Sequence, residues 1–232
     1  MTDLGPGGAS YDPTTHAVLR LGRYALPVFC GGDQGRYVAL TFDDGPGLST
    51  ETVVRILRAH GAGATFFAVG TQLRSFPHVI RRAASVGAVG DHTWTHPHLT
   101  RVRTRRLRWE LRATDLELQR QLRRPTILFR PPYAAHDRRV DRMAKRYGLL
   151  EVLWSIDTRD SRGASAAAIV RSVALGVKPG SIVLMHENRP ATIAALPRIL
   201  RLLHARHLLP VTVPELLAVD PPSLAQRVTG VC

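Results

Sequence analysis

The chain has 232 residues, 44% hydrophobic and 22% charged, enough for one globular domain with a sizeable core. It contains no low-complexity tract, no repeat at solenoid spacing and no apolar run of the roughly 18–20 residues that crosses a bilayer, so neither a solenoid nor a membrane-spanning helix is expected. Basic residues outnumber acidic ones 32 to 18, for a formal charge of +14, and Lys145 and Lys178 are the only lysines. A bias toward arginine accounts for this as readily as attraction to a polyanion such as nucleic acid or an anionic cell wall.

Residues 1–35 carry glycine, proline and little periodicity, and are expected to form an extended arm before a domain spanning 36–232. The first 22 residues lack the basic-then-apolar pattern of a signal peptide, which leaves export through a further segment, or no export. Beyond the arm, strands are expected at Tyr37–Phe42, Thr65–Val69, just before Asp91, and at Thr126–Phe129, Leu150–Ser155, Ser181–Met185 and Leu208–Val213. Helical patterns fall between them near 50–60, 75–86, 104–122, 137–147, 164–175 and 191–206. In the arginine-dense stretch 101–124, Leu107, Leu111, Leu118 and Leu122 recur at helical spacing, so most of its arginines belong to a solvated helix face. It lacks the interleaved aromatics of a base-stacking surface, and no nucleic-acid partner is expected. Regular alternation of strand and helix, without a dinucleotide-type glycine fingerprint, predicts an α/β fold: a distorted (β/α) barrel of about seven parallel strands. Functional residues then belong at the C-terminal ends of the strands.

Five segments sit at such ends. Thr41-Phe42-Asp43-Asp44-Gly45-Pro46 closes the first strand; it reads either as a turn or as a divided pair, one carboxylate on a metal and the other free as a base. In Asp91-His92-Thr93-Trp94-Thr95-His96-Pro97-His98, two histidines four apart can clamp one ion, or serve packing alone. Pro97 would end a helix there, so the pair belongs to a tight loop or one short turn. Asp44, His92 and His96 compose a two-histidine, one-carboxylate set that leaves coordination positions open for water and substrate. Arg130-Pro131-Pro132-Tyr133, the run Trp154 to Asp160, and Leu184-Met185-His186-Glu187 complete the series. Cys30 and Cys232 have no zinc-type spacing; they are either a disulfide across the adjacent ends of a barrel or two free thiols.

Taken together, TFDDGP, HTWTHP, RPPY, WSIDTRD and LMH, in that order from about Arg36 to Leu217, resemble the polysaccharide deacetylase family (carbohydrate esterase family 4), which shares the nodulation-type chitooligosaccharide deacetylase domain. The resemblance implies Asp43 as general base, Asp44, His92 and His96 as metal ligands, and Arg130 as the partner of the base. It implies His186 as general acid, Asp160 as the carboxylate that orients it, and the Tyr133 backbone N–H as an oxyanion donor. Trp154, Leu184, Pro131 and Tyr133 are expected along the substrate groove. Ala88-Val89 after Gly87, Ala134 after RPPY and Ser161 after Asp160 depart from the family pattern at the groove walls, leaving every ligand and catalytic group in place.

The resemblance therefore implies a metal-dependent hydrolase that removes N-acetyl groups from N-acetylglucosamine-type polysaccharides, peptidoglycan or chitin oligomers. Zinc suits the ligands best, with Co2+, Ni2+ or Mn2+ as alternatives. A secreted or cell-wall-associated monomer acting on an acetylated polysaccharide is expected, its charge favouring an anionic wall. Alternative readings are an O-acetyl esterase on acetylated xylan, a catalytically silent sugar-binding module and, on the donor set alone, a non-haem iron oxygenase.

Overall fold

A computed structural model describes residues 12–232; the expected arm over residues 1–11 lies outside them. The strands are β1 (Tyr37–Gly45), β2 (Ala64–Ala68), β3 (Gly87–Asp91), β4 (Leu128–Phe129), β5 (Leu150–Glu151), β6 (Ile156–Asp157), β7 (Ile182–His186) and β8 (Leu209–Val211). The helices are α1 (Pro13–Gly22), α2 (Thr50–Ala59), α3 (Gly70–Ser75), α4 (Val79–Ala84), α5 (Thr104–Leu122), α6 (Arg138–Arg146), α7 (Ala166–Gly176), α8 (Pro190–Ala205), α9 (Val213–Val219) and α10 (Leu224–Thr229).

Seven strands run in the order β5-β4-β3-β2-β1-β7-β6, with β8 paired to β1 off this path, and every pairing is parallel. This is the α/β fold of about seven parallel strands expected from the alternation. The stretch expected as one strand over Leu150–Ser155 instead divides in two. Val152 N–H still donates to Phe129 of β4 (2.8 Å), whereas Leu153 N–H turns to Val28 (2.7 Å) and Ser155 N–H to Ile182 of β7 (3.0 Å). Val28 and Cys30 thus bridge the gap between β5 and β7, so part of the N-terminal segment completes the wall.

The expectation of an extended arm over residues 1–35 is accordingly corrected within the described residues: Pro13–Gly22 is helical. Asp12 caps it by accepting from the N–H groups of Thr14 (2.9 Å) and Thr15 (3.2 Å), and Pro13 occupies the first turn, where its missing N–H costs nothing. Val18 and Leu21 then pack with Ala39, Phe67, Leu128 and Ile182 from the inner face of the sheet, and with Val213, Leu216 and Leu217 of α9. The helix expected near 75–86 is confined to α4 (Val79–Ala84), and the short α3 (Gly70–Ser75) before it was not expected; Pro77 separates the two by keeping Phe76 out of the helical region (φ −124°, ψ 65°).

Strand alternation decides what faces the barrel. In β1, Val38, Leu40 and Phe42 join the outer core beneath α2 and α8, with Val183 and Met185 of β7. The opposite parity, Ala39, Thr41 and Asp43, faces inward. In α5, Leu107, Leu111 and Leu118 are buried while Arg105, Arg108 and Arg112 are exposed, as the periodicity predicts. Cys30 and Cys232 form a disulfide, which resolves the two readings left open by the sequence. No helix among the described residues is long and apolar enough to cross a membrane.

Candidate active site

The C-terminal ends of β1, β3, β4 and β7 bring the polar motifs to one mouth. Asp43 faces inward by strand parity, and a regular continuation would turn Asp44 away. Asp44 instead adopts φ 72°, where the β1–β2 register shifts between Phe42 and Gly45. That left-handed residue lets two consecutive carboxylates address the same space. The cost of such a conformation in a non-glycine residue is of order 1–3 kcal/mol and is typical of functional sites. Thr93 (φ 68°), His96 (φ 59°) and Tyr133 (φ 61°) repeat it around the same mouth.

Arg130 is wholly buried and fixes the first carboxylate. Its Nη1 donates to Asp43 Oδ1 (2.8 Å) and Thr41 Oγ1 (2.8 Å), its Nε to the Val152 carbonyl (2.9 Å) and its Nη2 to the Leu153 carbonyl (3.0 Å). The Phe67 ring lies 4.1 Å from the guanidinium and the half-buried Trp154 ring 5.6 Å from it. A buried charge is tolerable only when paired and hydrogen-bonded in this way.

His92 Nδ1 lies 2.7 Å from the Arg130 carbonyl. A carbonyl only accepts, so Nδ1 carries the proton and Nε2 presents a lone pair to the mouth. Burial, with neighbouring His96 second, pushes the His92 pKa down to about 3, so the ring is neutral, the form that ligates metals. Asp44 Oδ1 stands 3.8 Å from His92 Nε2 and 3.3 Å from His96 Nε2. Ligand atoms around a tetrahedral ion with bonds of about 2.0–2.1 Å are about 3.3 Å apart, so this donor set fits a divalent cation. Tyr133 OH is 3.1 Å from His96 Nδ1, and the Tyr133 ring, itself exposed, stacks on His98 at 4.4 Å.

The loop carrying His92 and His96 is pinned from two sides. Gly70 and Thr71, opening α3, donate to the carbonyls of Thr93 (2.9 Å) and Trp94 (3.0 Å). Trp94 sits against Gly70, where an added Cβ would come within 2.1 Å of its ring. From α5, buried Glu110 accepts from Trp94 N–H (2.9 Å), Thr95 N–H (2.8 Å) and Thr95 Oγ1 (2.6 Å). Sequence reasoning missed Glu110. Its signal was a lone acid beside Leu111 on the apolar face of an arginine-rich helix, where an unpaired carboxylate would be costly.

On the other side of β1, His186 is the register partner of Asp43. Asp160 accepts from His186 N–H (2.6 Å), His186 Nδ1 (2.8 Å) and Thr192 Oγ1 (2.6 Å). Burial opposes ionisation of Asp160, but these hydrogen bonds outweigh it and hold its pKa below the ordinary value. Burial likewise opposes the charge on His186, and the bond to Asp160, with Asp43 and Asp44 adding to it, raises its pKa overall. Leu184 lies buried beside Thr41 on β7 and Pro131 is buried in the loop before Tyr133. All eleven residues singled out in the sequence, from Asp43 to His186, thus fall on the strands, loops and short 3-10 turns around this one end of the barrel.

A family profile described as polysaccharide deacetylase matches residues 31–152. A bifunctional xylanase/xylan deacetylase of Cellvibrio japonicus is 36% identical over 78% of this chain, and the match covers 27% of that protein, so the chain spans about a quarter of its length. A chitooligosaccharide deacetylase of Rhizobium leguminosarum bv. trifolii is 32% identical over 78% of this chain and 92% of its own. Among solved structures, the Bc1960 peptidoglycan N-acetylglucosamine deacetylase superposes with a TM-score of 0.79 at 32% identity, covering 82% of this chain and 92% of that one. The profile match over residues 31–152 and a relative 32% identical over 78% of this chain and 92% of its own length place the chain in the polysaccharide deacetylase family.

Proposed function

We propose that the protein hydrolyses N-acetyl groups on N-acetylglucosamine-type polysaccharides, with Asp43 as base and His186 as acid. The observation that carries this reading is the register pairing of Asp43 with His186 on adjacent strands, each held by its own buried partner, Arg130 and Asp160. A divalent cation held by Asp44, His92 and His96, zinc first among the candidates, would polarise the acetyl carbonyl and acidify the attacking water. Asp43, oriented by Arg130, takes the proton from that water. His186, kept protonated by Asp160, delivers a proton to the departing sugar nitrogen, without which an amine is a poor leaving group. The Tyr133 N–H donates to the developing oxyanion, and Trp154, Leu184 and Pro131 shape the groove around the acetyl group.

The 36% identity to a protein named as a xylan deacetylase supports O-acetyl ester hydrolysis as a second reading; an ester places less demand on His186, since its alkoxide leaves more readily than an amine. The charge of +14 favours an anionic wall polymer over neutral chitin, and the disulfide favours action outside a reducing compartment. Acetate release from peptidoglycan, chitooligosaccharides and acetylated xylan, with and without chelator and restored zinc, distinguishes these substrates. Asp43→Asn should abolish release from the preferred one while retaining bound metal; near-normal turnover would remove Asp43 from the role of base. If the wall polymer is the target, added salt weakens binding to its fragments.

A further inference from the structure

Outside the mouth of the barrel, three more metal-competent side chains converge. His136 lies between the Tyr133 loop and α6, Asp141 is in the first turn of α6, and Glu151 ends β5. Phe129 and Glu151 are register partners, and Phe129 belongs to the cluster packed beneath α5 and α6, so Glu151 points away from the barrel interior, under α6. His136 Nδ1 is 3.1 Å from Asp141 Oδ1 and 3.3 Å from Glu151 Oε1, and one ligand atom from each of the three lies within 4.8 Å of the others. These separations are as close to the edge of a tetrahedral site, about 3.3 Å for bonds of 2.0–2.1 Å, as those of Asp44, His92 and His96.

The hydrogen bonding is incomplete without a further positive centre. Glu151 is 4% exposed, and neither of its buried carboxylate oxygens has a hydrogen-bond partner. The single Nδ1–H of His136 faces two carboxylates and cannot satisfy both. Buried polar groups are ordinarily paired, so an orphaned carboxyl aimed at an imidazole and a second carboxylate calls for a cation or a retained proton. His136 and Asp141 remain partly exposed, which leaves an entry path.

We propose that His136, Asp141 and Glu151 form a second, structural binding site for a divalent transition-metal cation of the zinc class. One nitrogen and two carboxylate donors suit such an ion better than Mg2+ or Ca2+, which favour all-oxygen shells. The ion would tie three elements together three residues downstream of Tyr133 and three upstream of Trp154, stiffening both sides of the groove from outside the barrel. This inference does not depend on the deacetylase reading, because its measurement is metal binding and not turnover.

The test uses the full chain, stripped with chelator and titrated with Zn2+ by calorimetry, with metal content read after dialysis. The variant His92→Ala/His96→Ala, which disables the ligands at the mouth, should still bind one equivalent of zinc and unfold at a higher temperature with it. Adding Glu151→Gln, which keeps shape and removes charge, should weaken that remaining affinity at least about tenfold and cancel the thermal gain. Adding the milder, partly exposed His136→Ala instead should do the same, so misfolding of one variant leaves the other as the test. If the histidine-pair variant binds no zinc, or its zinc survives both Glu151→Gln and His136→Ala, the proposed site is overturned.

Discussion

Asp160 holds His186 twice, accepting from its backbone N–H at 2.6 Å and from its Nδ1 at 2.8 Å. The same carboxylate takes the Thr192 hydroxyl at 2.6 Å, so its direction is set before any substrate arrives. The imidazole can neither flip nor lose its preferred tautomer without breaking a buried charge-assisted bond.

The pair has a pH signature. The raised His186 pKa contributes stability that is complete below its ordinary value of 6.5 and is lost as pH rises through the higher folded value. The lowered Asp160 pKa contributes stability that is complete above its ordinary value of 3.8 and is lost as pH falls through the lower folded value. Both contributions are whole between those two ordinary values. Asp160→Asn should narrow this window, move the basic limb of the kcat/KM profile to lower pH and reduce kcat by roughly a hundredfold. A limb that stays in place would show that His186 is not tuned by Asp160.

Arg130 donates to Asp43, Thr41 and two main-chain carbonyls from a fully buried position. Arg130→Ala strands a buried carboxylate and leaves a cavity, and should cost about 3–5 kcal/mol in urea unfolding. Arg130→Lys cannot reproduce the fork of donors and should recover only part of that loss. Full recovery with lysine would mean that charge alone, not geometry, is what Asp43 requires.

Glu110 touches no candidate metal ligand side chain, yet it anchors the backbone between His92 and His96. Glu110→Ala should weaken metal affinity by about 10–100-fold, with activity returning as metal concentration is raised. Zinc titration of the stripped variant measures the effect. A variant that folds normally and binds zinc as tightly as the parent would place the hold on the loop elsewhere, in α3.

The disulfide links Cys30, within the wall segment that bridges β5 and β7, to Cys232 across 202 positions. Replacing both cysteines by serine should lower stability by about 2–4 kcal/mol and Tm by on the order of 5–15 °C. Thermal unfolding under oxidising and reducing conditions checks this, and the parent under reduction should match the variant.

Short-range pattern carried much of this protein. Alternation placed β1, β2 and β7 within a residue or a few of their observed ends, and the leucines of α5 located that helix. Asp44, His92 and His96 were legible because turn chemistry and strand ends are local. The short signals were harder to read: α1 needs only Asp12, Pro13 and three buried apolar residues, and α9 and α10 begin at the capping boxes Thr212–Glu215 and Ser223–Gln226, which span four residues each. Tertiary structure alone decided which distant groups meet. Arg130 reaches Asp43 across 87 positions, Glu110 folds back on the histidine loop, Val28 fills the gap that divides one expected strand into two, and Cys30 finds Cys232. Spacing along a chain encodes the period of an element and the turn that ends it. Pairing between side chains far apart in sequence depends on how those elements pack, and is settled only when burial forces each polar group to find a partner.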